Sequence, residues 1–170
     1  MIAELLVLRF VHVVGGIFWA GSALFTALFL APALSISGVN AGQVFAALGK
    51  RRLFVALPLV ALLTIASGAR LMWIMSNGFA SSYTASGTGR TLMASGAAAL
   101  GAFLLSLLVS RPTAVRAAQL AGTLATAPEA ERGRIAERAA ALRRRGGVSS
   151  MIAVALLALA AAGMSIARYV

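Results

Sequence analysis

The sequence predicts an all-α integral membrane protein: a four-helix bundle with both termini outside the cytoplasm and a basic cytoplasmic helix between helices 3 and 4. Three observations carry this. Hydrophobic residues make up 61% of the 170, charged residues 11%, and mean hydropathy is +0.94, which places the chain outside the soluble globular class. Four apolar stretches reach the roughly 20 residues that cross a bilayer core of about 30 Å. Basic residues collect on alternate connections.

The spans fall at about 3–31, 53–75, 91–110 and 148–167, within a single transmembrane domain over 1–170. Punctuation bounds each one. Pro32 ends the first and Pro112 follows the third, Asn77 and Gly78 close the second, Ser86 and Thr88 precede the third, and Gly146, Gly147, Ser149 and Ser150 precede the fourth. The first span reads as a retained helix and not a cleaved signal peptide. Its apolar run far exceeds a signal core of about 7–15 residues, Glu4 and no base precede it, and Pro32 lies inside the small-residue pattern Ala31-Pro32-Ala33.

Lys50, Arg51 and Arg52 in the first connection, with Arg111, Arg116, Arg132, Arg134, Arg138, Arg143, Arg144 and Arg145 in the third, place eleven of the fifteen bases on one side. Short cytoplasmic loops keep such residues, so this side is cytoplasmic and the membrane is of the bacterial inner type. The connection 76–89 is uncharged and rich in Ser, Thr and Gly, which suits an external loop. In the connection 111–147, Thr126-Ala127-Pro128-Glu129 reads as a capping box opening a helix with Ile135, Ala139 and Leu142 on one face. That helix is expected to lie on the inner leaflet, with Arg143, Arg144 and Arg145 on anionic lipid. A net charge of +11 also raises nucleic acid as a partner, but no aromatic platform or recognised motif accompanies the bases, so none is expected.

The absence of Cys excludes disulfides, thiolate metal centres and covalent c-type haem attachment. No Walker loop, dinucleotide loop or His-Glu-x-x-His motif is present, and no acid beyond Glu4 lies in a span to relay protons. The polar groups inside spans become the candidates, because burying them in lipid is costly. His12, the only histidine, lies about 14 Å along the first helix from Ala3. It shares a face with Gly16 and Trp19, and Arg9 is one turn nearer the exterior. Two readings stand side by side: an imidazole hydrogen-bonded to a neighbouring helix as packing glue, or a ligand. Met72, Met75, Met93 and Met164 fall in the same outer half, and thioether with imidazole suits Cu(I) or a haem iron with mixed axial ligands. Arg9 and Arg70 suit an anion such as a haem propionate, which favours haem over a bare ion. Arg90 and Arg168 read as snorkelling beside Trp73, Tyr83 and Tyr169.

The segment Arg9-Phe10-Val11-His12-Val13-Val14-Gly15-Gly16-Ile17-Phe18-Trp19-Ala20-Gly21, followed by Phe25, Leu28, Phe29 and Pro32, resembles the first helix of CopD-like four-helix membrane proteins. Arg51-Arg52-Leu53, Ser67-Gly68, Gly87-x-Gly89 and Arg111-Pro112 extend a looser likeness, shared with HemJ-type protoporphyrinogen oxidases, over roughly the first 115 residues. The resemblance implies a bundle associated with copper or haem, with His12 at the family histidine. The third span carries neither the lysine nor the histidine of a HemJ-type enzyme.

The expected site is therefore b-type haem on His12, with Arg9, Arg70, Trp19 and Gly16 around it and one of Met72, Met75, Met93 or Met164 as second ligand. The activity would be electron transfer or haem-linked oxidoreductase chemistry. Copper binding or transfer through His12 and the same Met residues is the alternative, and a non-catalytic assembly subunit the third. A redox partner or a second copy of the chain is the expected protein partner.

Overall fold

The computed structural model describes residues 2–37, 41–124 and 126–170, all in helices and turns. Four helices are long and apolar enough to cross a membrane: α1 (Ile2–Ile36), α3 (Leu53–Met75), α5 (Gly87–Thr123) and α6 (Glu129–Tyr169, ending in a 3-10 turn). Two short helices, α2 (Ala41–Lys50) and α4 (Ser81–Thr84), lie in the connections.

The chain folds as two helical hairpins. α1 packs along α3, α5 packs along α6, and the hairpins touch each other over a shorter stretch. Trp19, Ala61, Ala102, Ala153 and Leu157 form the core where all four spans meet. Trp19 meets Phe103 edge-on, with ring centroids 6.2 Å apart. Around this small core the spans expose Phe10, Ile17, Phe29, Leu63, Leu108 and Leu159, the apolar belt expected of helices facing hydrocarbon.

Neither proline ends its helix, contrary to the sequence expectation. In α1 a π-turn covers Thr26–Leu30, with the Ala31 N–H donating to the Thr26 carbonyl, and the α-helix resumes through Pro32 to Ile36. In α5 a π-turn covers Ser106–Ser110, Arg111 N–H donates to the Ser106 carbonyl, and the helix continues past Pro112. A proline ring collides with the carbonyl four residues back, and widening the preceding turn relieves that collision while keeping backbone groups bonded. Inside lipid a broken helix would leave those groups without water, so the adjustment prevails over termination.

The third connection also differs from the expectation of a helix separate from the fourth span: the basic segment from Glu129 on is the first half of α6, which passes through Gly146 and Gly147 without a break. Its 41 residues extend about 60 Å, twice a bilayer core, and its first half pairs with the end of α5 as a stalk. Gly146 is a packing residue here, since a Cβ on it would lie 2.8 Å from Thr113 Oγ1. The capping box does not form: Thr126 Oγ1 donates back to the Thr123 carbonyl at 3.3 Å, and Pro128 stands at the cap without a side-chain bond.

Other boundaries follow their signals. α3 ends at Met75, and Asn77, Gly78 and Phe79 take left-handed conformations in the turn that follows. Ser86 Oγ caps α5 by accepting the Gly89 N–H at 3.1 Å.

Candidate functional site around His12

Two glycines set the approach of α1 to α3. Thr64 of α3 presses on Gly15, where a Cβ would collide with Thr64 Oγ1; Thr64 satisfies its own hydroxyl by donating to the Val60 carbonyl at 2.8 Å. In the other direction the His12 ring lies over Gly68. A Cβ at Gly68 would be 2.6 Å from His12 Cε1 and 2.9 Å from Nδ1, so only glycine leaves room for the imidazole. A ring from α1 and a hydroxyl from α3 thus fill reciprocal notches, the small-residue packing that draws helices together in lipid.

His12 Nδ1 lies 2.8 Å from the Thr64 carbonyl oxygen. A carbonyl only accepts, so Nδ1 carries a proton, and in the neutral ring the lone pair is on Nε2. The same carbonyl takes a second bond from Ser67 Oγ at 3.0 Å. Among the described residues no hydrogen bond reaches Nε2. The single buried, unpartnered side-chain nitrogen or oxygen among them is Tyr83 Oη, so Nε2 of the half-buried His12 is open to its surroundings.

The other predicted site residues are dispersed. Trp19 is buried in the bundle core, seven residues and about 10 Å further along α1. Gly16 has ordinary room, its nearest neighbour to an added Cβ being Thr64 Cγ2 at 3.7 Å. Arg9 is exposed, and Arg70 pairs with Glu4, its Nη2 and Nε lying 2.7 and 3.1 Å from Oε1. Met75 and Met93 are exposed, whereas Met72 and Met164 are half-buried. Met72 follows Gly68 by one helical turn and therefore shares its face. No group of three or more His, Asp or Glu side chains suited to a metal ion occurs among the described residues.

Thr64 and Gly68 were not singled out as site residues by the sequence. Thr64 and Gly68 are four apart on one face of α3, a small-residue stripe whose partner is invisible until α1 is laid against it. No family model matches the chain, and no curated protein or solved structure matches it either.

Proposed function

We propose that the chain is a multi-pass membrane protein that binds b-type haem through His12 Nε2 and serves electron transfer or haem-linked redox chemistry. The observation that carries this reading is the Nδ1–H···O=C bond to Thr64. A backbone carbonyl fixing one ring nitrogen is the usual support for a histidine whose other nitrogen ligates a metal. Position adds to it: Nε2 is unpartnered at a depth where hydrocarbon, not water, is the alternative partner, and an unbonded polar atom there is unfavourable.

The residues would supply one protein ligand. His12 would hold the iron, the Thr64 carbonyl would orient the ring and raise its basicity, and Gly68 provides the notch that keeps the imidazole against α3. When bound, haem supplies one-electron chemistry. Met72 is the best placed of the four methionines for a second ligand, being half-buried and one turn from Gly68. Arg9 is free to meet a propionate, whereas Arg70 would first have to leave Glu4. Copper through the same imidazole is the alternative; it needs converging soft ligands, and Met75 and Met93 lie exposed.

The topology belongs to the same proposal. The basic stalk and the Lys50-Arg51-Arg52 turn are cytoplasmic, both termini lie outside, and the host is a bacterial-type inner membrane, by the distribution of bases.

A packing role for His12 is the competing reading, favoured by its tight seat on Gly68. Absorption spectroscopy with iron, copper and porphyrin quantification on purified protein separates these. The haem reading expects a Soret band that His12→Ala abolishes. A colourless, metal-free protein, or a spectrum unchanged by His12→Ala, overturns it; copper without porphyrin transfers the site to the copper reading.

A further inference from the structure

We propose that the open groove at the basic end of the second hairpin is a binding site for the headgroup of an anionic phospholipid. The groove, of about 620 Å³, runs between α5 and α6. Val109, Val148 and Ile152 supply its apolar lining, and Arg144, Arg145 and Ser149 its polar lining. Val148 and Ile152 are 57% and 49% exposed, so the apolar wall faces the same surroundings as the hydrophobic belt. The two arginines come just before the apolar stretch 148–167, which puts them at headgroup height.

Charge selects the occupant. Neither Arg144 nor Arg145 pairs with an acid among the described residues. The nearest acid before them on α6 is Glu137, seven residues or about 10 Å from Arg144. Two unpaired guanidinium forks present the donor geometry that phosphate oxygens accept, at the level where anionic headgroups concentrate. The apolar wall continuing toward the spans points to a lipid, whose acyl chain can follow it, over a soluble phosphate or an acidic protein. Ser149 is committed elsewhere, at 2.9 Å from Ser110 Oγ and 3.0 Å from the Gly146 carbonyl, so the arginines supply the recognition. This inference is independent of what His12 binds.

Native mass spectrometry of the full chain, released from mixed phosphatidylglycerol and phosphatidylcholine, tests the site. One phosphatidylglycerol per chain is expected to be retained, and Arg144→Gln with Arg145→Gln should lower its retention roughly tenfold or more. Val148→Trp, which fills the groove without changing charge, should have the same effect. Arg116→Gln with Arg138→Gln removes equal charge from elsewhere on the stalk and should leave retention unchanged. Equal loss in that control would show diffuse attraction and overturn the proposal. So would indifference to the groove substitutions, or displacement of the lipid by millimolar inorganic phosphate.

Discussion

The two hairpins solve the same packing problem with different chemistry. In the second, three close approaches pair a small hydroxyl with a glycine or another hydroxyl. Ser95 presses on Gly163 and donates to the Thr91 carbonyl of its own helix, Thr113 presses on Gly146 and donates to the Val109 carbonyl of its own, and Ser110 meets Ser149. These groups are fully used. The first hairpin has one such pair, Thr64 on Gly15, and beside it a ring that bonds across to its neighbour's backbone and keeps a nitrogen unpartnered. Shape complementarity alone asks for no imidazole at Gly68, since a serine or threonine performs the equivalent role elsewhere in the molecule. The comparison therefore locates the chemical asymmetry of the bundle in one side chain.

The sharpest way to break the comparison is to fill the notches. Gly68→Val should destabilise the protein by about 2–3 kcal/mol in detergent unfolding, because the ring must abandon Thr64 to make room. Gly163→Ala should cost less, about 1 kcal/mol, since Ser95 can rotate to another rotamer. Equal losses would make the hairpins equivalent.

Next in size, His12→Ala should cost about 2 kcal/mol through a lost hydrogen bond and a partial cavity, and should abolish any haem absorbance. His12→Asn sharpens this, because its amide nitrogen stands close to where Nδ1 stood and can donate to the Thr64 carbonyl. Recovery of most of the stability without recovery of the spectrum is expected. Recovery of both would reduce His12 to packing.

Ser110→Ala, which removes the hydroxyl pair between α5 and α6, should cost only about 0.6 kcal/mol, the usual size of an interhelical hydrogen bond in lipid. Smallest of all, Glu4→Gln should change stability by less than about 0.5 kcal/mol, since the Glu4–Arg70 pair is about half exposed and mobile side chains hold it. The unfolding midpoint of each variant, measured in the same micelle, checks both.

Much of the architecture was legible in residue type alone. The four apolar stretches became four long helices, Asn77 and Gly78 marked a turn, and Ser86 capped a helix as its hydroxyl suggests. The failures share a cause. Pro32, Pro112, Gly146 and Thr126 are local signals, and each was overruled by what lay beside it: a backbone that keeps its bonds, a threonine that needs a glycine to pack against, a carbonyl nearer than the intended cap. For the site, His12 stood out because it is the sole histidine in a span. Its partners did not, because a threonine carbonyl and a glycine carry no mark of being matched to a ring fifty residues away.

The amino-acid sequence by itself determined that this chain makes long apolar helices, that its bases gather on two connections, and that one imidazole lies within a span; each follows from composition and order along one dimension. Only the tertiary structure decided that α1 lies against α3 with His12 over Gly68, that Nδ1 donates to the Thr64 carbonyl, and that α6 runs unbroken from stalk to core. Those outcomes depend on contacts between segments distant in sequence, where the shape of one helix decides which atoms of another remain free.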